Sequence, residues 1–150
     1  MSTVVLIACS ATKLPKPAPA HELYSSDLFQ KNWAYAKKLA DEKDIYILSA
    51  KFHLVPHDKV IPPYNVTLKE LSSDKRKEWS DEVLKQIQAK GYSLDKDKFI
   101  FLAGNAYRQY LVPEMKHTEV PFEDLRIGQQ KKALLQKLEE RLISFCKVYY

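Results

Sequence analysis

Three near-continuous apolar runs, Thr3 to Cys9, Ile45 to Ser49 and Phe99 to Ala103, constrain the fold of this chain more than any other feature. None alternates apolar with polar residues, so each reads as a strand buried on both faces, the pattern of a parallel sheet. The segments between them carry helical periodicity and are long enough for right-handed βαβ crossovers. A helix is predicted from Asp27 to Glu42, opened by Ser25-Ser26 and presenting Leu28, Phe29, Trp33, Ala36, Leu39 and Ala40 on one face. A second runs from Ser73 or Asp74 to Lys90, with Trp79, Val83, Leu84 and Ile87 as its stripe and Gly91 as its stop. A short third helix, Ala106 to Leu111, halts before Pro113. The last, Gln129 to Phe145, buries Leu134, Leu135, Leu138, Leu142 and Phe145 and exposes Lys131, Lys132, Lys137 and Arg141. Lys116 to Val120 is a weaker fourth strand, suited to an edge. The expectation is α/β: a single three-layer domain over residues 1–150, with a mainly parallel sheet of about four strands flanked by helices.

Composition narrows the classes. A 45% apolar share argues against disorder, and no run approaches the roughly 20 apolar residues that cross a bilayer, so no membrane partner is expected. The apolar start Val4-Val5-Leu6-Ile7 lacks a basic leader and reads as a strand, not a signal peptide. Cys9 and Cys146 lie far apart and suit a reducing, cytoplasmic setting. The four histidines, His21, His53, His57 and His117, match no zinc spacing, so neither metal nor cofactor is expected. The net charge of +5 suits an anionic partner, and it equally suits solubility alone.

The segment from Ile45 to Leu68 is the most suggestive of a site. A strand empties into a stretch holding Lys51, His53, His57, Asp58 and Tyr64, braced by Pro56, Pro62 and Pro63. In a parallel sheet the C-terminal strand ends share one edge. That edge would collect Ser10, Thr12 and Lys13 after the first strand. It would add Ser49 and Lys51, with the loop to Tyr64 and Asn65, after the second. Gly104, Asn105, Tyr107 and Arg108 would follow the third, and all would enclose one pocket.

Each residue has a plainer reading. Ser10 and Thr12 suffice as turn caps, Cys9 as a buried small apolar group, and Lys13 and Lys51 as solvated surface lysines. Tyr64 suits base stacking and core plugging alike. His53 and His57 suit loop packing, because Pro56 disfavours a helix that would pair them. Gly104-Asn105 lacks the repeated glycines of a phosphate loop. Arg108 has Glu114 or Glu119 as an alternative ion-pair partner.

In their order, Leu48-Ser49-Ala50-Lys51-Phe52-His53-Leu54-Val55, Ile61-Pro62-Pro63-Tyr64, Ala103-Gly104 with Tyr107-Arg108, and Leu125-Arg126-Ile127-Gly128-Gln129-Gln130 carry a resemblance. From about Val4 to Leu138 the chain resembles a family of small bacterial and phage domains and is distantly similar to the YaaA peroxide-stress proteins. The resemblance implies a uracil-DNA-glycosylase-like or Rossmann-like α/β domain of the base-handling kind, linked to stress response or DNA repair. It implies DNA binding and glycosylase-like chemistry. The chain departs from it in being much shorter than YaaA, and in having Asn65 where relatives are expected to carry an acid. An amide cannot serve as a carboxylate base.

Two classes of function follow. The first is a hydrolase cleaving the N-glycosidic bond of a modified base. Tyr64 or Tyr107 would stack the base, Asn65 and Asn105 would read its edge, and Lys13, Lys51 and Arg108 would hold flanking phosphates. A cationic sugar needs a nearby acid, and Asp58 is the one acid in the Lys51–Tyr64 loop. Lys51 is the alternative catalytic group, through a Schiff base with the sugar. The second class is a non-catalytic nucleic-acid or nucleotide-binding module using the same residues. A small nucleoside or nucleotide hydrolase or transferase differs only in substrate size. The expected partner is nucleic acid, DNA before RNA, or a nucleotide-like small molecule.

Overall fold

The centre of the molecule is β1 (Thr3–Ala8), whose interior residues Val4 to Ile7 are all buried. A computed structural model describes residues 2–123 and 125–149 of the chain, with side chains as far as Glu139. From β1 the chain forms the short strand β2 (Ala18–Pro19), α1 (Ala20–Leu23) and α2 (Asp27–Leu39). It returns as β3 (Ile45–Ser49), turns into β4 (His53–Pro56), and passes β5 (Val60–Ile61) to reach α3 (Ser73–Ala89). Then come β6 (Lys98–Leu102), α4 (Asn105–Arg108), β7 (His117–Glu119) and α5 (Ile127–Tyr149). The main sheet has the order β4-β3-β1-β6-β7, and β3, β1, β6 and β7 run parallel.

The pleat divides the core. Val4, Leu6, Leu48, Phe99 and Phe101 face Trp79, Val83 and Ile87 of α3. Val5, Ile7, Ile45, Ile47, Ile100 and Leu102 face Phe29, Trp33 and Ala36 of α2, against which α5 packs. Because successive side chains point to opposite faces, continuous apolar runs are what two covering layers demand. The α/β three-layer expectation is met. Strand order reverses at β1: α2 leads to one neighbour, β3, and α3 leads back to the other, β6. Ligand crevices form at the carboxyl ends of strands beside such a reversal.

Local chemistry sets the helix limits. Ser26 caps α2 by accepting the Phe29 N–H at 3.2 Å, and Ser72 caps α3 by accepting that of Lys75 at 3.3 Å. Gly91 ends α3 with φ +95°, a left-handed angle that costs glycine little.

Several elements depart from the reading of the sequence. The segment after Ser49 is an antiparallel hairpin, not an open loop: Ser49 pairs with His53 and Tyr46 with Pro56. His53 closes the turn at φ +65°, the left-handed position of a three-residue hairpin loop. The next stretch is zipped to the one following β1, since β2 pairs with β5 and the Ala20 N–H reaches the Lys59 carbonyl at 2.9 Å. The two histidines of this stretch pack against tryptophans: His57 stacks on Trp33 at 5.4 Å and His53 on Trp79 at 6.4 Å. Helix α2 stops at Leu39, short of Glu42. Gly128 lies in the first turn of α5, where amides need no intrahelical partner. Leu135 is exposed, not buried, while Leu134 is fully covered. Arg141, Leu142 and Phe145 lie outside the described side chains. Among the described residues no helix is long and apolar enough to cross a membrane.

One carboxylate pins the N-terminal strand. Asp97 accepts the Ser2 N–H and the Ser93 N–H, each at 2.7 Å, and these bonds hold its pKa below the ordinary carboxylate range. A depressed native pKa adds stability that is full above the unfolded value of about 3.9 and fades as pH falls through the native value. Acid titration of wild type and Asp97→Asn is therefore expected to show a stability gap that is widest above about pH 5 and closes toward pH 2. A gap constant down to pH 2 would contradict this role.

Candidate functional site

Two groups of side chains stand at the carboxyl edge of the sheet. The first lies beyond β1 and β3. The Ser49 hydroxyl accepts the Phe52 N–H at 2.9 Å and the Lys51 N–H at 3.3 Å, which clamps the hairpin turn. It donates to the Tyr64 hydroxyl at 2.8 Å, and Tyr64 lies 2.6 Å from the hydroxyl of Tyr24. Tyr24 and Ser49 are fully buried. An antiparallel bridge between Lys13 and Tyr24 brings the Lys13 ammonium to 4.4 Å from the Tyr64 ring centre, a cation–π contact. Cys9 Sγ lies 3.3 Å from the Tyr107 hydroxyl, and the Tyr107 ring meets Trp79 edge-on at 5.7 Å. Trp79 donates its indole N–H to the Ser49 carbonyl at 2.9 Å.

Burial governs ionisation in this group. It raises the Tyr24 phenol to about 12, against the opposing hydrogen bond from Tyr64. It also raises Tyr64 and Tyr107, and proximity to Cys9 raises both further. Burial lowers the Lys13 amine, which Cys9 partly offsets. At neutral pH the three phenols are thus uncharged hydrogen-bonding groups and not bases. The group is a polar clamp beside one thiol and one ammonium.

The second group surrounds a cavity of about 230 Å³ where β6 ends, on the α2 and α5 side of the sheet. Polar groups from three elements line it: Asn32 of α2, Asn105 and Arg108 of α4, and Gln130 of α5. Leu102 and Phe122 supply apolar wall, and Glu123 lies at its margin with a 60% exposed side chain. Asn32 is only 7% exposed and lines the cavity from α2. Gln130 is fixed by donating to the Leu125 carbonyl at 2.8 Å. Arg108 donates to the Ala103 carbonyl at 3.1 Å and lies 3.8 Å from the Glu123 carboxylate.

The single pocket expected from the sequence is thus two places, and α4 divides them. Tyr107 points to Cys9 and Trp79, whereas its neighbour Arg108 lines the cavity. Lys13, Ser49 and Tyr64 meet in the first group; Gly104, Asn105 and Arg108 meet in the second. Ser10 bonds the Thr12 carbonyl at 3.1 Å, and Thr12 is exposed, as in a turn. Lys51 is exposed in the hairpin turn, its ammonium 5.4 Å from the Phe52 ring, and Asn65 is exposed in the following loop.

Asp58 requires correction. Strand β4 runs antiparallel to β3, so a residue two beyond Pro56 lies toward the start of β3, at the opposite end from Ser49. A carboxylate there cannot serve a sugar bound at the carboxyl edge. Arg108 pairs with Glu123, not with Glu114 or Glu119; Glu119 is taken by Lys98 at 2.7 Å. A Cβ on Gly104 would meet nothing within 4 Å, so this glycine is not dictated by a close approach of backbone.

Tyr24, Asn32, Trp79 and Glu123 were not anticipated as site residues. Asn32 had a signal: it lies between Phe29 and Ala36, three and four residues from them, within the apolar stripe of its helix. No curated protein and no solved structure matches the chain. Residues 4–136 match one family model, and the chain belongs to that family, the family of unknown function DUF6884.

Proposed function

We propose that this is a nucleobase-handling protein, and that its ligand is a single base or mononucleotide taken up in the cavity at the end of β6. The observation that carries this reading is Asn32. This residue belongs to the cavity wall although it is only 7% exposed. Lining a cavity, it offers a donor pair and an acceptor, the complement of a base edge. Asn105 adds a second amide, Leu102 and Phe122 add apolar wall, and Arg108 adds a positive end. At about 230 Å³ the space falls below the roughly 300 Å³ at which drug-sized pockets begin, which favours enclosure of a single base over that of an extended strand.

Recognition without chemistry is the reading placed first, because Asp58 lies at the wrong end of the sheet. N-glycosyl hydrolysis is the second, supported by Glu123, the one carboxylate lining the cavity among the described residues. Calorimetric titration with nucleosides, mononucleotides and short oligonucleotides tests the first. Asn32→Leu is expected to weaken binding of base-bearing ligands by about tenfold or more, with circular dichroism checking that the variant folds. Failure of the wild type to bind any base-bearing ligand, or equal binding by the variant, would remove this reading. Abasic product from oligonucleotides carrying modified bases, lost in Glu123→Gln, would move the hydrolase reading to first place.

A further inference from the structure

We propose that Arg108 is an oxyanion subsite of the cavity and that the Glu123 carboxylate is its built-in surrogate occupant, displaced when a phosphate-bearing ligand arrives. The proposal rests on the cavity being a ligand site, and it does not require that the ligand carry a base.

The Arg108 side chain is 13% exposed, so its charge is largely withdrawn from water. A guanidinium carries five N–H donors in a planar fork. Here one N–H donates to the Ala103 carbonyl at 3.1 Å, and no other described acceptor lies within hydrogen-bond distance. The Glu123 carboxylate approaches only to 3.8 Å, which is an ion pair but too long for a hydrogen bond. A largely covered cation whose remaining donors have no protein acceptor among the described residues, set beside a cavity, is a good start for binding an anion.

The occupant is easily dislodged. The Glu123 side chain is 60% exposed, and a half-solvated pair at this distance contributes little. A phosphate oxygen pair would reach the same fork with two short, charge-assisted bonds, a geometry that arginine favours. Arg108 and Glu123 are the only charged residues lining the cavity among those described, so no second cation competes for the anion. Departure of Glu123 would open the cavity toward solvent at the same step. The carboxylate would thereby keep the empty site electrically balanced.

The test uses inorganic phosphate, a nucleoside and its 5′-monophosphate as separate probes of the full chain, by calorimetry. Glu123→Gln removes the competing charge at an exposed position and retains the side-chain shape. It is expected to tighten inorganic phosphate and the monophosphate by roughly two- to fivefold, and to leave the nucleoside unchanged. Arg108→Gln is expected to abolish the phosphate response and the affinity gap between nucleoside and monophosphate. Circular dichroism checks that it folds, and Arg108→Lys, which keeps the charge and loses the fork, should fall between the two. Equal or weaker phosphate binding by Glu123→Gln, or a phosphate response surviving in Arg108→Gln, would overturn the proposal. So would absence of phosphate binding from both wild type and Glu123→Gln. Nucleoside binding with no Glu123→Gln effect sinks this proposal alone. A phosphate exchange without nucleoside binding sinks the base reading alone.

Discussion

Replacing Trp79 by alanine is expected to lower stability by about 3–5 kcal/mol, the usual cost of emptying a large aromatic site. Trp79 is 4% exposed and joins three parts of the fold: it rises from α3, meets Tyr107 of α4, and bonds the last carbonyl of β3. Its loss leaves that carbonyl buried without a donor as well as a void. Against a total of about 5–15 kcal/mol for an ordinary domain, such a loss is severe, and the midpoint of thermal unfolding should drop by on the order of 10 °C. Trp79→Phe separates the two contributions, since it keeps most of the packing and removes only the indole donor; a cost of about 1–2 kcal/mol is expected. Urea unfolding followed by far-ultraviolet circular dichroism measures both. A loss below about 1 kcal/mol for the alanine variant would mean that the hairpin end is not held from this side.

The second large effect is expected at Tyr64. Tyr64→Phe removes one oxygen, so the buried Tyr24 hydroxyl loses its 2.6 Å partner and the Ser49 O–H loses its 2.8 Å acceptor, while the Ser49 oxygen still accepts the Phe52 and Lys51 N–H. A cost of about 2–3 kcal/mol follows, more than a single exposed hydrogen bond would produce. The pair Tyr24→Phe with Tyr64→Phe should cost distinctly less than the sum of its members, because the second change removes a group already unsatisfied. Strict additivity in that cycle would show that the hydroxyls do not act as a unit.

The parts of this fold visible in the sequence are those where one physical demand acts alone. Burial on two faces forces uninterrupted apolar residues, so β1, β3 and β6 stand out, with ends within a residue of those expected. Serine caps and the Gly91 stop mark α2 and α3 for equally direct reasons. Strand β4 was obscured because His53 and Pro56 are poor strand residues. The pairing places the proline at the end of an edge strand, where no ladder donor is needed, and the histidine in a turn angle set by tertiary packing on Trp79. The site suffered more from this. Once the loop is a hairpin, chain direction reverses, and Asp58 is carried away from Ser49 although the two are only nine positions apart. Adjacent residues on the single turn of α4 diverge for a comparable reason: Tyr107 and Arg108 point about a quarter-turn apart, into different layers. Neither separation is written in composition or spacing.

The strand order also bears on how the chain is made. Its middle strand is the first to be synthesised, and Thr3 waits for Lys98 before its second flank is covered. At about 5–20 residues per second, ribosomal elongation between those two positions takes on the order of 5–20 s. Throughout that interval Val4 to Ile7 have at least one side of their backbone unmatched, so an unpaired apolar segment exists well before the sheet can close.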